Sequence, residues 1–173
     1  IRLWSQTNFG EDLIFGYRNG PIYYWDATNG LTTRGVLLSS IANASNVPTD
    51  QNVLLVSDVS RFVFAFGCNA LASATVNPML IRWSDQEDPT QWTPAATNQA
   101  GSVQLSNGSK IITVHQARQE ILVWSDSSLY SLQYVGAPVV WGTQLVGENI
   151  SIVSSNAVAY ANDTAYWMGI GKF

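Results

Sequence analysis

Apolar residues in this chain come in short runs separated by clusters of Asn, Gly, Ser, Asp and Pro, and no run sustains a helical period. The segments DLIFGY (12–17), PIYYWD (21–26), VLLVS (53–57), RFVFAFG (61–67) and PMLIRWS (78–84) are rich in β-branched and aromatic residues. So are KIITVHQ (110–116), EILVWS (120–125), SLYSLQYVG (128–136), AVAYA (157–161) and TAYWMGI (164–170). Such side chains pack well on a pleated surface, and the residues between them are turn formers, so each segment predicts a strand. Apolar positions at a spacing of about 3.6, the mark of an amphipathic helix, are missing throughout. A single helical turn is expected at NALASAT (69–75), limited by Thr75, Val76 and Pro78. The pattern predicts an all-β protein.

Four times an apolar strand meets a polar turn and a second strand carrying an aromatic. These are DLIFGYRNGPIYYWD, RFVFAFG followed by PMLIRWSD, EILVWSDSSLYSLQYVG and AVAYANDTAYWMG. Counted from Asp12, Arg61, Glu120 and Ala157, the steps are 49, 59 and 37 residues. Uneven steps of this size suit blade-like antiparallel sheets joined by loops of different length, as in a β-propeller. The expected organisation is a single all-β domain over 1–173, with units near 1–50, 51–105, 106–150 and an incomplete 151–173. Sheets stacked face to face bury both sides of their strands, which accounts for YYW and FVFAF, where polar and apolar residues do not alternate. The alternative is a β-sandwich, which requires cleaner alternation because one face of each sheet meets water. Asn-Gly pairs in RNGP (18–21) and SNGS (106–109) predict turns with positive φ, while SDSS (125–128) and NDT (162–164) predict Asx- or Ser-type turns.

Composition narrows the function classes. The 173 residues suffice for one well-buried core, to which seven Trp and seven Tyr contribute much of the area. Charged residues make up 12% of the chain, about half the usual share of roughly 25%. Neutral polar residues must cover the surface, which suits an extracellular protein or one whose faces are pressed against neighbours in an assembly. A net charge of −4 with eight scattered basic residues argues against a nucleic-acid clamp. The lone cysteine, Cys68, excludes an internal disulfide or a cysteine-based zinc site and reads as a small buried hydrophobe. No apolar run approaches the roughly twenty residues that span a bilayer, so no membrane-spanning segment is expected. The chain opens at Ile1 in the strand-like IRLW and closes at Phe173, and both ends read as cut from a longer polypeptide.

The densest polar constellation is IRWSDQEDPTQWTP (81–94), where Asp85, Glu87 and Asp88 lie between Trp83 and Trp92. A calcium loop would place a glycine at the bend and a distal bidentate Glu, whereas Pro89 stiffens this segment. A glycosidase needs two carboxylates facing each other across a cleft, which sequence adjacency does not establish. The preferred reading is a structural turn or interface formed by Arg82, Trp83, Ser84, Asp85 and Trp92. The competing reading is a sugar site using Trp83, Asp85, Glu87, Asp88 and Trp92.

Other chemistry has thinner support. His115, the only histidine, alternates with Ile112 and Val114 on a predicted strand and has no nucleophile or metal partner in view. No phosphate-binding glycine loop occurs, and the Asn-x-Ser/Thr sequons at Asn43, Asn107, Asn149 and Asn162 carry little weight in a chain rich in these residues. A WD-repeat protein needs a Gly-His pair in each blade, which one histidine cannot supply. The turn SDQEDPTQW lacks the glycine of a sialidase Asp-box, and Arg2, Arg18, Arg34, Arg61, Arg82 and Arg118 fall in separate segments. Neither a cofactor, a metal nor a catalytic residue is expected.

Taken together, FGEDLIFGYRNGPIYYWD, RFVFAFG, IRWSDQEDPTQWTPAATNQAGS, ILVWSDSSLYSLQYVG and the closing AYWMGIGKF resemble the tail-tube and nozzle proteins of tailed bacteriophages. The resemblance is closest to the tail stabilisation proteins of short-tailed phages and runs over nearly the whole chain in order. It implies a β-propeller-based structural protein located in the virion tail and assembled with copies of itself as a ring. It further implies other tail proteins on the adaptor or portal side, and fibres, as neighbours. Genomic DNA would pass through during ejection without sequence-specific binding, for which an acidic wall is suited because it does not neutralise phosphates. Proteins of this family are several times longer, so the resemblance implies a fragment without the platform elements. The rival class is a carbohydrate-binding or glycan-cleaving β-propeller acting in host-receptor recognition.

Overall fold

Among the described residues, turn formers cut the chain into fourteen strands and two single turns of 3-10 helix, at Ala27–Asn29 and Leu38–Ser40. The computed structural model of the chain describes residues 2–58 and 60–171, so Ile1 of the opening IRLW and Lys172 and Phe173 of the closing phrase lie outside the described residues. Strands β1 (Trp4–Phe9), β2 (Asp12–Tyr17), β3 (Ile22–Trp25) and β4 (Val36–Leu37) form a first sheet. Strands β5 (Val53–Val56), β6 (Val63–Asn69), β7 (Val76–Trp83) and β8 (Gly101–Gln104) form a second. Strands β9 (Ile111–Gln116), β10 (Ile121–Ser125), β11 (Ser128–Gly136) and β12 (Val140–Glu148) form a third. A hairpin of β13 (Val158–Ala161) and β14 (Thr164–Trp167) completes the set.

The architecture is therefore all-β, and among the described residues the antiparallel sheets fall in four groups, none closed into a barrel. Within each four-stranded sheet spatial order follows chain order, the meander arrangement that short connections favour. Among the described residues no helix is long and apolar enough to cross a membrane. The helical turn expected at 69–75 does not form. Asn69 still belongs to β6, and Ala72 takes a left-handed φ of 54°, which a right-handed turn excludes.

Turn residues act as their chemistry requires. Asn162 and Asp163 both have positive φ, 51° and 57°, and join β13 to β14 as a two-residue hairpin of the primed type. In RNGP it is Asn19 that is left-handed, at φ 56°. Gly20 is needed there for another reason, since a Cβ would lie 2.2 Å from the Tyr17 ring. In SDSS the Ser125 hydroxyl accepts from the backbone N–H of Ser127 and Ser128, at 3.3 and 2.9 Å.

The chain divides into two compact units, Ile1–Val103 and Gln104–Phe173. In the first, Ile14, Ile22, Leu38, Leu54, Val56, Val63, Ala65, Leu80 and Trp92 share one core, so the first two sheets bury apolar faces together. The other face of β6 carries Phe64 and Phe66, stacked at 5.7 Å, with Trp83 of β7 6.2 Å from Phe64. Every residue of β6 is consequently buried, as the non-alternating FVFAF demands. β1 and β5, the first strands of consecutive sheets, touch each other. In the second unit Leu122, Trp124, Leu129 and Ile152 form the core with Ile112, Val158 and Trp167, and the Trp124 and Trp167 rings lie 5.8 Å apart. Here too the first strands of successive sheets, β9 and β13, are in contact.

Candidate functional site

The corner at 81–94 begins where β7 ends. Alternation along the strand sends Arg82 and Trp83 to opposite faces, Arg82 opposite Ala65 and Trp83 opposite Phe64. Arg82 is 2% exposed and its guanidinium donates to three main-chain carbonyls, Asn46 at 2.7 Å, Asn69 at 3.2 Å and Trp92 at 3.3 Å. Its Cζ lies 5.9 Å from the centre of the Trp92 ring. Burial pulls the Arg82 pKa below its ordinary value, with the nearby Cys68 opposing. On the other face the Trp83 indole N–H donates to Gln99 O at 2.8 Å, and Gly101 lets the chain pass over the ring, where a Cβ would come within 2.6 Å.

Beyond the strand Ser84, Asp85, Asp88 and Trp92 are all hydrogen-bonded within the corner. Ser84 Oγ accepts from Val63 N at 3.0 Å and donates to Asp85 O at 2.8 Å. Asp85 is half-buried, and its Oδ1 accepts from Gln86 N and Gln99 N, both at 2.8 Å. Asp88 Oδ1 accepts from Thr90 N at 2.9 Å and from the Thr90 hydroxyl at 2.6 Å, an Asx turn around Pro89. Glu87 is exposed and left-handed at φ 59°. Trp92 Nε1 donates to Pro89 O at 2.7 Å, its backbone N–H donates to Ser45 O at 3.0 Å, and its ring is 1% exposed.

The structure thus brings Arg82, Ser84, Asp85 and Trp92 into one hydrogen-bonded corner that ties residues 43–46, 69 and 99 together. It leaves Glu87 outside. Trp83 and Trp92 both have their rings covered, so in this conformation neither presents a face on which a sugar ring can stack. Among the described residues, no three His, Cys, Asp or Glu side chains come together as a metal set. Sequence reasoning missed the partners Asn46, Asn69 and Gln99, which lie between 13 and 36 positions from the side chains they meet.

The two other residues singled out for chemistry occupy ordinary strand positions. His115 Nδ1 donates to Gln116 O at 2.9 Å, and its ring lies 5.8 Å from Tyr160. Cys68 is fully buried, and burial pushes its thiol up to about 12.

The second unit carries two surface features that no motif announced. A polar cleft of about 650 Å³ is walled by Tyr134, Tyr160, Gln119, Gln133 and Glu120. Arg118 and Asp163 close one side through an exposed ion pair of 3.4 Å. The hairpin β13–β14 borders an apolar groove, and Tyr166, Met168 and Ile170 stand exposed along it and just past it. No protein-family model matches this chain, and no curated protein matches it.

Proposed function

We propose that this chain is a structural, non-enzymatic part of a bacteriophage virion tail, assembling with its own copies as a ring that conducts DNA during ejection. The observation that carries the reading is the succession of three four-stranded meanders and a two-stranded fourth group, with first strands touching within each unit. Serial antiparallel meanders of this kind are what β-propeller blades are built from. Exposed apolar side chains at the β11–β12 hairpin, Val135, Val139 and Val146, join Tyr166, Met168 and Ile170 as faces suited to neighbouring copies or to adaptor and fibre proteins. The low charge fits such contacts, and a net charge of −4 fits a wall along which DNA slides.

Cryo-electron microscopy of the particle that carries this chain, with mass photometry of the purified protein, tests the reading. The expected result is density for the chain within a symmetric tail ring. Density elsewhere in the particle, or a strict monomer at all concentrations, overturns it.

A second reading, carbohydrate binding in host recognition, draws on the cleft around Tyr134 and Tyr160, where aromatic rings sit beside amide and carboxylate groups. A glycan array separates the two readings. Binding lost in Tyr160→Ala favours the glycan reading, and silence across the panel favours the tail part.

A further inference from the structure

Among the described residues Arg82 is the one arginine that the fold removes almost completely from water, and its surroundings leave its charge unbalanced. An arginine keeps its proton even when buried, so the guanidinium remains a cation. The three carbonyls of Asn46, Asn69 and Trp92 satisfy donors but carry no formal charge. Among the described residues no carboxylate pairs with it. The neighbouring Cys68 is held as a neutral thiol by its own burial. A desolvated cation without a counter-ion is costly, and folded proteins rarely leave one so.

The side chain is nevertheless not sealed in. Arg82 lines a cavity of about 360 Å³ whose other polar walls are Asn46, Asn69, Ser39, Thr49 and Ser73. Among the described residues of the wall Arg82 alone is ionisable, and the rest carry hydroxyls, amides or small apolar groups. The hydroxyls of Ser39, Thr49 and Ser73 are donors suited to an oxygen anion, whereas the Asn46 and Asn69 amides already donate to Thr93 Oγ1 and Ser73 O. Ala44, Ala72 and Ala74 keep the remaining wall thin. Two of the lining residues, Asn46 at φ 49° and Ala72 at φ 54°, hold left-handed backbone, which for alanine is a strained choice. The carbonyl contacts explain where the guanidinium sits, and the cavity supplies space for the charge it lacks.

We propose that the Arg82 cavity is a binding site for a small oxyanion, of the phosphate or carboxylate kind, which acts as the counter-ion of the buried guanidinium. This inference is independent of the tail assembly proposed above, and either can fail without the other.

The test is thermal unfolding of the full chain titrated with inorganic phosphate, sulfate or acetate at an ionic strength held constant with chloride. A ligand that binds only the folded state raises the midpoint in a saturable way. The expected result is a saturable rise with at least one of the three, giving a Kd that weakens by about ten-fold or more, some 1.4 kcal/mol, in Ala74→Trp. That variant fills the exposed rim and leaves every Arg82 hydrogen bond in place. Arg82→Gln, which keeps donors but loses the charge, should abolish the rise if it folds. Saturation by phosphate and sulfate alone identifies a tetrahedral ligand, and saturation by acetate as well identifies the carboxylate class. An unsaturable rise, one equal in wild type and Ala74→Trp, or no rise with any of the three overturns the proposal.

Discussion

The corner at 81–94 carries three carboxylates and an arginine and turns much of its polar chemistry inward, while the last hairpin and the residues just past it carry tyrosine, methionine and isoleucine and turn them outward. Residue type alone predicts the opposite of both. Ser84 is buried because its hydroxyl finds partners in well-defined geometry, and a polar group loses little on burial when its hydrogen bonds are replaced; the Arg82 donors likewise meet three carbonyls, although its charge meets no carboxylate. Tyr166, Met168 and Ile170 are exposed because no described element packs over them. Satisfied bonding decides the first region, and what packs over the side chains decides the second.

Four changes sharpen or break that contrast. Trp92→Ala removes a fully buried ring at the junction of the corner and the first core and should cost about 3–5 kcal/mol in a urea titration. A loss below about 1 kcal/mol would mean that the corner does not hold the unit together. Ser84→Ala leaves the buried Val63 N–H without its side-chain acceptor, and an expected cost of about 1–3 kcal/mol is readable in the same assay.

Asp50 tests the same rule with the opposite sign. One of its carboxyl oxygens is buried without a partner, and burial raises its pKa above the ordinary 3.8, against a backbone hydrogen bond from Gln51. The folded state therefore holds this proton more tightly than the unfolded chain, so the contribution is favourable at low pH and is lost as pH rises above 3.8 through the folded value. Asp50→Asn should flatten that decline and raise the midpoint at pH 7, by less than the two losses above. Thermal melts from acid to neutral pH check it, and a lower midpoint at pH 7 would contradict it.

The smallest effect on stability belongs to the outward face. Tyr166→Ser should change folding by no more than about 0.5 kcal/mol. It should nonetheless reduce self-association in sedimentation velocity if this face meets a second copy. Unchanged association would remove β14 from the list of docking faces.

Strand positions were legible because strand and turn propensities act over a few neighbouring residues. β2 and β11 coincide with DLIFGY and SLYSLQYVG, and most other expected strands are shifted by only one or two residues at either end. The strands that went unread have weak local signatures. β1 is the polar WSQTNF, β4 has two residues, β8 is GSVQ, and β12 is interrupted by Gly142 and Gly147. Each forms because a neighbouring strand offers an unpaired edge, for example β2 to β1 and β11 to β12. The corner was legible as a turn through Asp88 and Pro89, whose chemistry is local. The burial of its arginine and tryptophans was not, because the covering atoms come from distant loops.

By itself, then, the amino-acid order determined the all-β class, the placement of most strands and the turns between them, since backbone preference and side-chain alternation are short-range forces. Tertiary structure alone decided which polar residues were withdrawn from water and which apolar ones were left in it. Arg82 is bound to Asn46 across 36 positions and Trp92 to Ser45 across 47. Contacts that far apart depend on where whole sheets come to rest, because a side chain's exposure is set by what packs over it, whatever its own chemistry.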